Sequence, residues 1–181
     1  SPAMLRYARK RIAEDGDPVS ARAVEGEMVS ARYEREFDAA LNSINSIGYL
    51  RSDEDIVAHL RNTGASIRRG GVYIVHIACE WNGQPDLDQN IWTMERDGVS
   101  IRTTWRIERD DAGARLSHQA CTMEVDDHGV RSSHTYHETL RLWRYDDLRE
   151  LVSRSGALEY AALYSEGFEA LPLETRVTGE M

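Results

Sequence analysis

The stretch from Phe37 to Leu50, FDAALNSINSIGYL, read together with Ile67 to Val75, IRRGGVYIV, constrains this chain more than any other part of it. Phe37 to Asn42 is an almost continuous apolar run, suited to a strand buried on both faces. It breaks off into Asn42-Ser43-Ile44-Asn45-Ser46, which is mostly small and polar. A helix follows. Ser52 is a good N-cap, with Asp55 three residues on in capping-box position. Ile56, Leu60 and Ile67 give that helix a core face. Gly70-Gly71 supplies the turn out of it, and Val72 to Ile77 reads as the next buried strand. A strand–loop–helix–strand unit of this kind builds a parallel sheet. Ligands of open parallel sheets bind beyond the carboxyl ends of the strands, so the polar residues after Asn42 mark a place to look for a site.

The flanking sequence extends the pattern. Ala3 to Ala13 predicts a helix, with Met4, Leu5, Ala8 and Ile12 at helical spacing, ended by Asp15-Gly16-Asp17-Pro18. Val19 to Val24 alternates and is β-prone, which predicts a strand with Gly26-Glu27-Met28 at its tip. After Ile77 the character changes. Ser100 to Arg109, Arg115 to Val125 and Val130 to Arg144 are long runs of β-formers, separated by Asp110-Asp111-Ala112-Gly113 and Asp126-Asp127-His128-Gly129. Asp and Gly at such spacings signal hairpins, so the expectation is a three-stranded antiparallel meander, led into by a loop from Trp81 to Trp92. Tyr145 to Ser155 returns to helix, with Leu148 and Leu151-Val152 inward and Gly156 as the stop. Leu158 to Tyr164 reads as a final strand.

Composition narrows the partners. The chain has 181 residues, enough for one domain with a proper core. Lys plus Arg number 22 and Asp plus Glu 31, a net charge of -9. Such a surface repels phosphate backbones and disfavours nucleic acid as a general partner. The Arg6–Arg11 cluster reads as the solvated face of the first helix. Cys79 and Cys121 form neither a metal spacing nor a disulfide framework, which suits a reduced, cytoplasmic setting. The longest apolar run, Val72 to Ala78, is interrupted by His76 and too short to cross a bilayer, so no membrane partner is expected. No secretory segment is visible.

The ordered series of elements resembles the later half of a class I S-adenosylmethionine-dependent methyltransferase. SPAMLRYARKRI is similar to the helix after that family's second strand, usually written D-x-S-x-x-M-L-x-x-A. FDAALNS, SDEDIVAHLRNTGASIRRGG and the glycine-led strand follow in family order. The fold class implied is α/β: a Rossmann-like methyltransferase sheet, formed by 1–78 and 145–181, with an antiparallel β-meander insert over 79–144. The insert is similar to that of small-molecule methyltransferases acting on amino sugars and other natural-product intermediates, where it caps the pocket or makes a subunit interface. The family's Gly-x-Gly-x-Gly cofactor loop is absent, and RVTGEM resembles the start of the family's last strand. The resemblance therefore implies a fragment of a longer native protein, whose cofactor loop and second strand would lie upstream of Ser1.

The resemblance also implies a site. Glu27 stands where the family places an acid for the adenine amino group, with an ordinary exposed loop acid as the alternative, and Met28 where a backbone N–H meets the adenine ring. Met4 is similar to a residue packing on ribose or adenine, with plain core packing as the alternative. Asn42, Ser43 and Ile44 end the strand that lines the methionine moiety, or else they only cap a loop. Tyr49 is placed to close over the pocket, or to pack in the core. His76 interrupts an apolar run near a strand's carboxyl end, where a base belongs. An unperturbed imidazole, with a pKa near ~6.5, accepts a proton at neutral pH, although a hydrogen-bonded core histidine is the plainer alternative. On the third meander strand, alternation puts His134, Tyr136 and Glu138 on one face and His137 on the other. His134 is a second catalytic candidate. With the neighbouring His118, these residues invite a metal reading, but the opposite faces argue against one tight site, and no metal is expected. Trp81, Trp92, Trp105 and Tyr136 could line a substrate pocket or a dimer contact. The expected activity is S-adenosylmethionine-dependent N- or O-methylation of a small molecule, with a homodimer formed through the meander. Two alternatives keep the residues and change the function: a methyltransferase-like protein that catalyses cyclisation or rearrangement, and a non-enzymatic oligomeric module. A nicotinamide enzyme fits poorly, because no dinucleotide fingerprint is present.

Overall fold

A computed structural model of the chain describes residues 1–14, 21–34, 37–77, 89–143, 145–164 and 169–171. Helix α1 (Pro2–Glu14) is followed by strand β1 (Phe37–Asn42), a 3₁₀ turn (Ser46–Tyr49), helix α2 (Asp53–Ser66) and strand β2 (Ile67–Val75). Four long strands come next: β3 (Gln89–Arg96), β4 (Val99–Asp111), β5 (Leu116–Asp127) and β6 (Val130–Arg141). Helix α3 (Tyr145–Ser155) and two short antiparallel strands, β7 (Leu163–Tyr164) and β8 (Ala170–Leu171), complete the order.

β1 and β2 pair in parallel around the crossover helix α2, as the strand–loop–helix–strand pattern requires. Ser52 caps α2 as expected, its Oγ accepting from the Asp55 N–H at 3.1 Å. Three acids, Asp53, Glu54 and Asp55, fill the first turn, where the helix dipole favours negative charge. The helix stops at Ser66, earlier than the glycine pair suggests. Gly70 and Gly71 lie inside β2, at a break in register: Phe37 pairs with Ile67, then Ala39 with Val72. A Cβ on Gly71 would stand 2.5 Å from Ile67 Cγ2 and 2.7 Å from the Asp38 carbonyl oxygen, so the bulge admits only glycine there.

The core gathers between α2, α3 and the 3₁₀ turn. Ile47, Ile56, Leu60, Trp143 and Leu151 are its largest fully buried side chains, and Tyr73 and Val75 of β2 pack against it. Burial on both faces, expected for β1 and β2, is not found. Ala40 and Tyr73 are half-buried, while Leu41 is 68 % exposed and Val72 and Ile74 are exposed on the other face. α1 has no buried residue at all.

β3 to β6 form a meander in the order β3-β4-β5-β6. It has four strands where three were expected, because Trp92 belongs to a strand and not to a loop. Asp97 and Gly98 both take positive φ, 51° and 77°, a conformation suited to a two-residue type I′ hairpin turn. His128 and Gly129 do the same between β5 and β6. Of the strand expected over Val19 to Val24, residues 21–24 carry no regular structure, and 19–20 lie outside the described residues. The final strand is likewise shorter than Leu158 to Tyr164, being confined to Leu163 and Tyr164. Among the described residues, no helix is long and apolar enough to cross a membrane.

Arg141 fastens the end of the meander to the helices. Only 3 % exposed, it meets Asp53 at 2.7 Å and Asp147 at 3.9 Å. Its guanidinium stacks 4.9 Å from the centre of the Trp143 ring. Arg154 holds the other oxygen of Asp53 at 3.1 Å. Burial alone would raise the Asp53 pKa, but the hydrogen bonds and charge of Arg141, joined by Arg154, outweigh it and hold the carboxyl below its ordinary value.

Candidate functional site

Polar groups converge at the carboxyl end of the parallel pair. His76 follows β2 and binds the tip of β1 three times. Its N–H donates to the Asn42 carbonyl at 2.8 Å, its carbonyl accepts from Asn45 N–H at 3.2 Å, and its Nδ1 accepts from Ile44 N–H at 3.2 Å. In the neutral ring, Nε2 then carries the proton. Asn42 turns inward, its Oδ1 accepting from Ile47 N–H at 2.9 Å and its Nδ2 donating to Met28 Sδ at 3.6 Å. Ser43 is exposed, and its carbonyl accepts from Ser46 Oγ at 2.8 Å.

These bonds hold an unusual backbone. Ile44 and Asn45 both sit in the left-handed region, with φ of 54° and 52°. For a β-branched residue this conformation is an outlier, costing on the order of 1–3 kcal/mol. Ile44 is also 81 % exposed, so burial of its side chain does not offset the strain.

The loop carrying Glu27 and Met28 is held from behind by α2. His59 Nδ1 lies 2.9 Å from the Met28 carbonyl oxygen and its Nε2 lies 2.7 Å from Tyr73 Oη. The carbonyl can only accept, so Nδ1 donates and Nε2 accepts from the phenol. Asn62 Nδ2 donates to the Val29 carbonyl at 2.8 Å. The Glu27 carbonyl closes a turn, accepting from Ala31 N–H at 2.8 Å, and its side chain is exposed. Burial depresses the His59 pKa, partly opposed by its bond to Met28, and burial also pushes the Tyr73 phenol up.

The second polar centre lies where β6 meets the 3₁₀ turn. Tyr49 Oη donates to Glu138 Oε2 at 2.5 Å, and this bond, with burial, pushes the phenol up to about 12. The register aligns Trp105, Cys121 and Tyr136 across three strands, with Thr103, Met123 and His134 beside them on the same face. Trp92 joins that face through its pairing with Thr103. The Tyr136 phenol is raised by its bond to the Cys121 thiol, by burial and by the Glu138 charge. On the opposite face, His137 Nδ1 lies 3.0 Å from Glu108 Oε2, a bond that holds the Glu108 carboxyl below its ordinary value. Tyr49, Arg51, Glu108, His118, His137 and Glu138 help to line a cavity of about 340 Å³ at this edge.

The structure thus brings Met28, Asn42, Ile44 and His76 together at one tip, with Glu27 and Ser43 adjacent in the chain. Tyr49 stands apart from them with Glu138 and Tyr136. Met4 lies on α1, 67 % exposed and outside the core. His134 is exposed on β6, and Trp81 lies outside the described residues. Among the described residues, no group of three or more His, Cys, Asp or Glu is placed to hold a metal ion. His59 and Tyr73 were given no role from sequence, and Glu138 was weighed only as a metal ligand. A signal existed for His59, a polar residue on the same helical stripe as Ile56 and Leu60. Glu138 shares the face of Tyr136 by alternation alone.

No protein-family model matches the chain, and no curated protein matches it. Solved structures do. DesVI of Streptomyces venezuelae superposes with a TM-score of 0.77 at 21 % identity, over 94 % of this chain and 69 % of that one. The sugar N-methyltransferase KedS8 from a Streptoalloteichus species gives 0.70 at 18 % identity, over 86 % and 60 %. CalS10, an amino pentose methyltransferase of Micromonospora echinaspora solved with S-adenosylmethionine bound, gives 0.68 at 19 % identity, over 91 % and 65 %. The chain spans 60 % to 69 % of the lengths of these three neighbours. At such identities the likeness concerns architecture, and the architecture is the class I S-adenosylmethionine-dependent methyltransferase fold with a β-meander set into it.

Proposed function

We propose that this chain serves an S-adenosylmethionine-dependent methyltransferase acting on a nitrogen or oxygen of a small molecule, of the amino-sugar or natural-product class. The observation that carries the reading is the tip of β1. There, Ile44 is held in a left-handed conformation by His76, while Asn42 and Met28 meet beside it. Strain retained at a strand's carboxyl end is the kind of feature that clusters at ligand sites. The residues suit the cofactor chemically. The Met28 thioether and the Ile44 side chain offer apolar surface to an adenosyl group, and the exposed Glu27 carboxylate offers an acceptor to its amino group. Ser43 offers an exposed polar group to the amino-acid part, Asn42 supports the tip from within through Ile47 and Met28, and Met4 is the candidate contact from α1. When bound, S-adenosylmethionine supplies an activated methyl group.

The protein's own work is then orientation and exclusion of water. His76 holds the tip through Nδ1, which favours a positioning role over that of a base. Tyr49 and Tyr136, with His134, are the substrate-side candidates; Trp81, the remaining one, lies outside the described residues. The meander supplies a cap, and its exposed β3 edge, carrying Trp92 and Met94, supplies a surface for a homodimer that sedimentation of the native protein would read. Calorimetric titration of the native protein with S-adenosylmethionine tests the central reading. Micromolar binding, about -8 kcal/mol, is expected, weakened about tenfold by Glu27→Ala. Absence of binding to the native protein would sink the reading.

A further inference from the structure

Two backbone segments meet at the strand tip, and a short chain of side chains ties them together. The loop of Glu27 and Met28 is one segment, and Asn42 to Ile47 is the other. His59 of α2 reaches the Met28 carbonyl through Nδ1 at 2.9 Å and the Tyr73 hydroxyl through Nε2 at 2.7 Å. Tyr73 pairs with Ala40, so it shares the inward face of the parallel pair with Asn42, two residues further along β1. The Asn42 amide acts on the phenol as a donor, opposing the rise that burial causes. Asn42 closes the circuit: its Nδ2 lies 3.6 Å from Met28 Sδ, and its Oδ1 accepts from Ile47 N–H at 2.9 Å. His59 is only 7 % exposed, and its ring meets that of Tyr73 edge to face with centres 5.7 Å apart, so the imidazole is packed in place.

These ties depend on where the protons are. The Met28 carbonyl only accepts, so Nδ1 carries a proton in either charge state. In the neutral ring, Nε2 accepts from the Tyr73 hydroxyl. A second proton makes Nε2 a donor. The phenol oxygen would then have to accept from it, and the hydroxyl proton would turn toward Asn42. There it meets an amide that presents a donor to the phenol and whose Oδ1 is already taken by Ile47 N–H. A polar hydrogen left unpaired in a half-buried place is unfavourable, so the protonated ring cannot keep both segments in the same arrangement. The titratable groups around the ring are Tyr73 on β2, Asp55 one turn earlier on α2, Glu27 beside Met28 and His76 at the strand tip. Burial, and then the Met28 bond, set the pKa of His59. Glu27 is exposed. His76 accepts from Ile44 N–H through Nδ1, which makes it the rival proton site.

We propose that His59 is a positioning residue: its neutral ring, acting through Tyr73, holds the Glu27–Met28 loop and the tip of β1 in the arrangement that binds S-adenosylmethionine, and a second proton on the ring loosens both. The inference rests on the methyltransferase reading for the cofactor, but not for the coupling of the two segments. Its sign is fixed. A proton held by the free site and excluded from the filled one weakens binding as pH falls.

The test is calorimetric titration of the native protein with S-adenosylmethionine at pH 7.5 and 5.5, paired with amide hydrogen exchange of the free protein. Wild type is expected to bind at least about threefold more weakly at the lower pH. Protection of the Ile47 and Ala31 amides, one in each segment, is expected to fall together by a similar factor. Protection of Leu142, bonded to Arg115 at the end of the meander, is expected to stay constant. His59→Gln keeps a donor and an acceptor and removes the titration. It is expected to bind within about threefold of wild type at pH 7.5 and to lose the pH dependence. His76→Asn is expected to retain that dependence. A dependence that survives His59→Gln, or that vanishes in His76→Asn instead, overturns the inference, and so does equally tight binding at both pH values. Tyr73→Phe decides the matter if the glutamine variant unfolds. It removes the phenol proton, and the dependence is expected to shrink below about twofold; an unchanged dependence overturns the inference. Absence of cofactor binding with the paired loss of protection intact removes only the methyltransferase reading. Binding without that paired loss removes only the role of His59. Absence of both removes both.

Discussion

The strand tip and the meander are fastened to the same core by different chemistry. The tip uses neutral bonds: His59 and Asn62 hold the carbonyls of Met28 and Val29, and His76 holds Asn42, Ile44 and Asn45. The meander uses charge, through Arg141 between Asp53 and Asp147 and through Glu138 under Tyr49. Neutral bonds to backbone groups fix the shape of the tip through their direction. Ionic ties at the meander tolerate more variation in geometry. The contrast also sets two separate pH windows. Burial depresses the His59 pKa below its ordinary 6.5, so its contribution is complete above that value and is lost as pH falls through the lower folded value. Asp53 is depressed below 3.8, so its contribution persists down to about that pH and fails only in stronger acid.

Removing the charge tie should have the largest effect. Arg141→Ala leaves Asp53 and Asp147 facing a buried space without their shared cation, and a loss of about 3 kcal/mol is expected in urea unfolding at neutral pH. A loss under about 1 kcal/mol would mean that Arg154 on Asp53, and Arg115, 3.4 Å from Asp147, suffice to hold those carboxylates, and the charge side of the contrast would fall. The neutral side is broken by His59→Gln. Stability should drop by about 1–2 kcal/mol at pH 7.5. More tellingly, wild type should lose stability between pH 6.5 and 5.5 by up to about 1 kcal/mol relative to the variant. Parallel pH profiles for the two proteins would show that His59 does not titrate on unfolding. The smallest effect sharpens the picture of the tip. Ile44→Gly relieves the left-handed strain and should raise stability by about 0.5–1 kcal/mol. If it lowers stability instead, the exposed isoleucine side chain is contributing contacts that offset its backbone.

Much of this was legible in the chain. Ser52, three acids and the stripe of Ile56 and Leu60 specify α2, because caps and periodicity are local signals. The Asp and Gly clusters after β4 and β5 specify hairpins for the same reason. The first hairpin was equally legible in Asp97-Gly98, but in β3 Ile91 and Trp92 are adjacent and polar residues fill both ends, so the strand lacks the clean alternation that draws attention. Gly70-Gly71 misled because a helix stop and a strand bulge both require glycine, and only the partner strand decides between them. The site was half legible. Asn42, Ile44 and His76 lie at strand ends, where topology places ligands. His59 and Glu138 work through partners 31 and 89 residues away, Met28 and Tyr49, and no local pattern encodes such distances. β1 and β2 read as doubly buried from composition, yet Leu41 and Ile74 are exposed, since apolar character states a preference and not the presence of a covering layer.

The bulge in β2 gives the strand a parity. Between its first two paired positions, β1 advances from Phe37 to Ala39 while β2 advances from Ile67 to Val72. An odd surplus of residues is absorbed there, and it decides which side chains of the downstream half look inward. Losing or gaining one residue at Gly70-Gly71 would exchange Tyr73 and Val75 for Val72 and Ile74 on the core side, and would carry Tyr73 away from His59. In a lineage of related chains, length changes at this point should therefore come in pairs, or be accompanied by a new partner for the histidine. A reader aligning such chains can use the spacing from the end of α2 to Tyr73 as a check that the strands have been matched correctly.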